Sequence, residues 1–324
     1  MRKLAVGLAL LAASQEAWAQ GGGGRDRNRR VEWSDSVDDG KGRLNNNRRF
    51  LLVYIRPADE ASDPSEFRNT DVVDASRDSF SFVKIAFDKD APEIKEWRVP
   101  SAPMILGCDK HGNEVIRQAG AGIDHIRAVM KGTADGVAKL EATVKALKNK
   151  IDDAEKSGDK SRTVKACLDL VKLGKKGYPE IPAALAKIET LAADEWKKVE
   201  VAETVDEATA IQSLECISKD FTGAPPGAEA EIRIAERENK AGNVAAAIAR
   251  LQKVLKLAQP LFKEKIDEAQ KLLDAIGAEG VEKVDAAAKI AAGDRDRGRE
   301  ALRKLQKEYA GTEAAKKAAE ALKE

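Results

Sequence analysis

Three cysteines, Cys108, Cys167 and Cys216, and two histidines, His111 and His125, carry most of the nucleophilic and metal-binding capacity of this 324-residue sequence. Zinc wants four nitrogen or sulfur ligands at short spacings, and these five residues complete no such set. Cys108 follows an apolar run and reads as a small core residue. A role for it in thiol exchange or peroxide sensing would need a depressed thiol pKa, which its sequence neighbours do not supply. The adjacent carboxylates Asp38-Asp39 and Asp152-Asp153 point in different directions on a helix, a poor arrangement for acid/base work. Walker, Gly-x-Ser-x-Gly and His-Glu-x-x-His motifs are missing. Glycines 21–24 lack the preceding strand and the lysine of a phosphate cradle. The sequence thus offers no catalytic residue, no metal site and no cofactor, and binding is favoured over catalysis.

The termini and the charge point the same way. Residues 1–19 read as a secretory signal: Arg2 and Lys3, an apolar run Leu4–Ala13, then Ala17-Trp18-Ala19 before Gln20. That run is too short for a membrane span, and no later stretch provides the roughly 20 apolar residues required, so an exported chain without an integral membrane segment is expected, periplasmic or extracellular. Removing Arg2, Lys3 and Glu16 with the signal leaves 54 basic and 54 acidic side chains. A formally neutral chain lacks the field that drives nucleic-acid binding. Residues 20–30 read as a disordered Gly/Arg leader, in which Arg25, Arg27, Arg29 and Arg30 offer a weak cell-surface contact. Cys167 and Cys216 are expected as two separately buried thiols, with a disulfide between them as the lesser alternative.

Two regions follow, joined near Gly132-Thr133. In residues 31–131 short apolar runs alternate with helical stretches. Phe50–Ile55 is continuously apolar, as befits a strand covered on both faces. A helix is expected over Ser65–Ser76, a strand over Phe80–Phe87, a short helix over Asp88–Trp97, a hairpin from Pro103–Cys108 and Glu114–Arg117 turning at Gly112, and a closing helix Ile123–Met130. Residues 135–324 read as helix only, rich in Ala, Leu, Lys and Glu.

Several residues of the first region stand at family-like spacing. Trp33 and the segment before Phe50, the run Lys84-Ile85-Ala86-Phe87-Asp88, and Pro103 followed by Met104-Ile105-Leu106 and a glycine turn together resemble the thioredoxin superfamily. The resemblance implies an α/β thioredoxin-like domain over 31–131, with Pro103 as its cis-proline. It would also place a Cys-x-x-Cys near Ser62-Asp63-Pro64-Ser65. Ser62 and Ser65 stand there instead, and no cysteine occurs between Gln20 and Gly107. A serine hydroxyl titrates far above a thiol, so the motif is redox-dead. In the resembling family the backbone beside this proline pairs with an extended segment, so Ala102 and Pro103 are the candidate peptide-binding edge.

In the second region Gly158-Asp159, Val205-Asp206, Gly242-Asn243 and Gly293-Asp294 each precede a leucine by eight to ten positions: Leu168, Leu214, Leu251 and Leu302. Ile217–Gly223 and Leu305–Gly311 also match, and an Ala-rich helix follows each. This irregular period suits helical hairpins whose apolar stripes are buried only by stacking. The region resembles a divergent tetratricopeptide array, an architecture that presents a groove to peptides or helices, while its charged run Lys145–Glu155 reads as a solvated face. The functional expectation is an exported, redox-inactive scaffold that binds a protein or peptide. Two alternatives stand beside it: a thiol-disulfide exchange or redox-sensing protein using Cys108 or a partner oxidoreductase, and an envelope-structural protein.

Overall fold

The computed structural model describes residues 30–60, 63–257 and 260–323. The signal segment, leader residues 20–29 with Arg25, Arg27 and Arg29, and Ser62 lie outside the described residues. Arg30 is described and exposed.

Apolar runs build the centre of a five-stranded mixed sheet. Strands β2 (Phe50–Arg56) and β3 (Phe80–Ala86) run parallel, in register from Phe50 opposite Phe80 to Arg56 opposite Ala86. The short β1 (Trp33–Ser34) adds parallel to the outer side of β3. On the other side of β2, β4 (Met104–Cys108) and β5 (Glu114–Ala119) follow antiparallel, giving the spatial order β1-β3-β2-β4-β5. Helices α1 (Val37–Gly42) and α3 (Pro92–Glu96) cover the face that carries Leu51, Val53, Ile55, Val83 and Leu106. The opposite face carries Leu52, Tyr54, Phe80, Phe82 and Ile105, under α2 (Thr70–Asp78) and the start of α4 (Ile123–Lys156). Alternation of side chains across a pleated strand divides the two cores in this way, and cover on both faces explains why β2 is apolar throughout.

Several boundaries differ from expectation for visible reasons. The helix expected over Ser65–Ser76 is a 3-10 turn, Ser65–Arg68, followed by α2, because Asn69 takes an extended conformation (φ −66°, ψ 139°) between them. The helix expected from Asp88 begins only at Pro92, whose ring favours the extended Ala91 before it. The strand Phe80–Phe87 ends one residue earlier. The hairpin turns at Gly112 (φ +85°), and β5 runs on to Ala119. The largest difference concerns the closing helix, expected to stop at Met130, which continues without interruption to Lys156. Gly132 suggests a linker in the sequence. In the helix a Cβ at Gly132 would lie 2.4 Å from Ile116 Cδ1, and one at Gly136 would lie 3.2 Å from Val115, so both glycines admit β5 side chains against the helix.

The chain separates into two compact units, one ending at Lys139 and the other running from Leu140 onward. The second unit contains the end of α4 and then α5 (Lys160–Val171), α6 (Glu180–Glu203), α7 (Glu207–Asp220), α8 (Pro225–Lys240), α9 (Val244–Leu255), α10 (Lys263–Gly293), α11 (Arg295–Glu308) and α12 (Glu313–Ala321). From α5 onward each helix packs on the next, and α8 also meets α10, α10 meets α12, α5 meets α7 and α9 meets α11. Alternate helices therefore form two layers. The four repeated dipeptides mark the starts of α5, α7, α9 and α11. Asp159, Asp206 and Asp294 cap three of these helices by accepting the backbone N–H of Arg162 (3.0 Å), Thr209 (2.7 Å) and Arg297 (3.1 Å). Leu168, Leu214, Leu251 and Leu302 are all buried. The matching segments after them end in the same turn, with Gly223 at φ +80° and Gly311 at φ +86°, values that glycine tolerates without strain.

Candidate functional site

The ends of three strands meet beside Pro103. Ile55 on β2 faces Met104 on β4, and Arg56 faces Ala86 on β3. The loop leaving β2, the exit of β3 and the Ala102-Pro103 peptide therefore share one end of the sheet. That peptide is cis. Ala102 and Pro103 are half-buried, and the Pro103 carbonyl accepts the Gly120 N–H at 2.9 Å. The segment leading into Pro103 is held by Arg117 of β5, whose guanidinium donates to the Trp97 carbonyl at 2.7 Å and pairs with Glu114. The hydrogen bond to Glu114, with the charge of that carboxylate, raises the Arg117 pKa.

Asp63 is an anchored residue of the loop. Its Oδ2 accepts the Trp33 indole N–H at 3.0 Å and its Oδ1 accepts Lys84 Nζ at 2.6 Å. Lys84 lies opposite Tyr54 in the register, with its ammonium 5.4 Å from the centre of the Trp33 ring. Tyr54 donates to Glu60 Oε2 at 2.8 Å, and Arg56 donates to the Glu60 carbonyl. Burial, then the hydrogen bond to Glu60 and the charge of that carboxylate, raise the Tyr54 phenol well above its ordinary value. Beneath lies an aromatic cluster in which Trp33 meets Phe67 at 4.9 Å and Phe82 at 5.8 Å, both edge-on. Ser65 is exposed and donates to Glu66 at 3.2 Å.

The structure brings Ala102 and Pro103 to the sheet end from which the Asp63 loop leaves, but it does not bring Cys108 there. Cys108 closes the far end of β4, five residues from Pro103, or about 16 Å of strand, and is 0% exposed. Cys167 is buried, and that burial pushes its thiol up to about 11. Cys216 is exposed, so the expectation of two separately buried thiols is corrected: the α7 face bearing Cys216 points to solvent while Leu214 and Ile217 fill the core. His111 sits in the hairpin turn, where its backbone N–H donates to Asp109 Oδ1 at 2.9 Å. Among the described residues no group of three or more His, Cys, Asp or Glu side chains could hold a metal ion, and no helix is long and apolar enough to cross a membrane.

Sequence reading missed Trp33, Lys84 and Asp63 as a unit. The available signal was Lys84 itself, a charge set in an otherwise apolar strand.

The helical unit has a polar feature of its own. Glu231 on α8 is 4% exposed and accepts Ser218 Oγ of α7 at 2.5 Å and Arg250 Nη1 of α9 at 3.0 Å, with Lys253 beside them. Burial alone would raise the Glu231 pKa, but these donors hold it below the usual carboxylate range. In the alternate layer Arg233 of α8 stacks over Trp196 of α6 at 4.5 Å and pairs with Glu229, which also meets Lys265 of α10 at 3.4 Å. These contacts tie neighbouring helices together. No family model matches the chain, and no curated protein matches it.

Proposed function

We propose that residues 31–131 are a redox-inactive thioredoxin-like domain, that residues 135–324 are tetratricopeptide-like hairpin repeats, and that the exported chain is a scaffold binding a protein or peptide at the Ala102-Pro103 edge. One observation carries the reading. The half-buried Ala102-Pro103 peptide stands at the sheet end from which the Asp63 loop leaves, and that loop is tied down by a carboxylate instead of offering thiols. The strand order, with a parallel half and an antiparallel hairpin, supports it. So does the pairing of alternate helices in the second unit. The edge would recognise an extended segment through its backbone, a short form of strand addition. Thiol exchange through Cys108 has against it the complete burial of that residue.

The test combines two measurements on the secreted chain. A photoreactive amino acid placed at position 102 is expected to crosslink an extended peptide selected from a random library, and Ala102→Trp is expected to weaken capture of that peptide at least fivefold. Insulin reduction is expected to stay at background. Reduction that disappears with Cys108→Ser would overturn the reading, as would peptide capture indifferent to position 102.

A further inference from the structure

Two grooves recur at equivalent places in the helical unit. The first lies between α4 and the start of α6, over Ile151, Leu170 and Ala183, and holds about 290 Å³. The second lies between α10 and the turn into α12 and holds about 610 Å³. Each is bounded by one helix of a layer, the end of its hairpin and the start of the next helix in that layer. Their rims differ in charge. The first groove is balanced, with Lys148 and Lys187 beside Asp152 and Glu180, and Lys187 already pairs with Glu155. The second has the carboxylates Asp274, Glu282 and Glu313 around a floor of Leu273, Ala278 and Val281, and neither Lys nor Arg lines it.

Glu313 pairs with Lys316 at 3.0 Å, both of them exposed, and Asp274 accepts an amide N–H from Gln270 at 2.7 Å. Among the described residues, neither Asp274 nor Glu282 has a cationic partner. This contrasts with the carboxylates of the neighbouring hairpins, where Glu229, Glu231 and Glu238 all meet Lys or Arg.

We propose that the α10–α12 groove binds an extended peptide segment carrying two basic side chains on either side of an aliphatic one. Asp274, Ala278 and Glu282 follow at every fourth residue and so share one face of α10. The eight-residue step from Asp274 to Glu282 covers about 12 Å at 1.5 Å per residue. In an extended chain, residues two apart point the same way and residues four apart are separated by about 13 Å. A Lys-x-Leu-x-Lys segment therefore matches the groove in length and charge: its leucine seats at Ala278 and Val281 while its lysines meet Asp274 and Glu282. The inference deepens the scaffold reading by giving the helical unit a partner chemistry. It engages no residue of the Ala102-Pro103 edge, so either can fail alone.

Fluorescence anisotropy with the full chain and a labelled Lys-Gly-Leu-Gly-Lys peptide tests it. Binding is expected that weakens with added salt, that falls at least tenfold in an Asp274→Asn, Glu282→Gln double variant, and that is lost when Ala278→Leu fills the floor. All three positions are exposed, and circular dichroism is expected to show unchanged helix content in each variant. Asp152→Asn in the first groove is expected to leave binding unchanged. The inference is overturned if the basic peptide does not bind at millimolar concentration, if a Glu-Gly-Leu-Gly-Glu peptide binds equally well, or if the double variant retains full affinity.

Discussion

The sheet unit and the helical unit bury their apolar surface with different materials. The first gathers Trp33, Phe50, Tyr54, Phe67, Phe80 and Phe82 into one ring cluster with centroids 4.9–6.3 Å apart. The second uses alanine at helix crossings, including Ala192, Ala210, Ala235, Ala247, Ala269, Ala314 and Ala318, and keeps its fully buried rings for hairpin ends, as Phe221 and Tyr309. A ring cluster is one irregular object in which each member supports the rest. Stacked hairpins depend mainly on their neighbours. Polar groups divide similarly: the sheet unit uses Asp63 and Lys84 to hold a loop at one end of the sheet, while the helical unit uses Glu231 to join three successive helices.

The largest effect expected from breaking this contrast comes from Phe67→Ala, which removes a fully buried ring and is expected to cost about 3–5 kcal/mol, measured by denaturant unfolding. Its counterpart Leu302→Ala is expected to cost about 2–5 kcal/mol, with faster hydrogen exchange confined to α10–α12. Loss of protection throughout the helices would erase the distinction between the two cores.

An intermediate effect is expected at Glu231. Its carboxyl titrates lower in the folded chain than in the unfolded one, so its stabilisation is complete above the unfolded value of about 4.3 and disappears as pH falls through the folded value. Glu231→Gln is therefore expected to cost about 1.5–3 kcal/mol near neutrality, with the gap to the parent chain closing below about pH 4 in pH-resolved melting curves. Asp63→Asn, at a more exposed pair, is expected to cost no more than about 1 kcal/mol. A larger loss there would make the two polar clusters equivalent. The smallest effect sharpens the repeat comparison. Asp206→Ala is expected to lower the denaturant midpoint slightly through the lost cap, and Asn243→Ala to lower it still less, because Asn243 makes no capping side-chain bond.

Legibility in the sequence followed the same division. β2 was visible because cover on both faces demands an unbroken apolar run, and the hairpin was visible because Gly112 marks its turn. The starts of α5, α7 and α11 were visible as repeated dipeptides because a cap needs a specific side chain at a specific place. The continuity of α4 was hidden. Gly132 and Gly136 carry the same signal whether they break a helix or admit a neighbouring strand, and only Ile116 and Val115, far from them in composition and element, decide between the two. The Asp63 anchor was hidden for a related reason, since it joins residues 30 and 21 positions away. The charge of the α10–α12 groove was equally unreadable, because Asp274 and Glu282 sit near Lys271 and Lys283 along the chain and yet line a groove that neither Lys nor Arg lines once the helices stack.

Both oxygens of Asp63 are engaged by nitrogen donors, one from each of two strands. Neither contact involves sulfur, so thiol–disulfide exchange leaves the anchor as it is. Ionic strength is what loosens it, through screening of the pair with Lys84. A loop held in this way answers to the salt around it and keeps its grip through a change in thiol–disulfide balance.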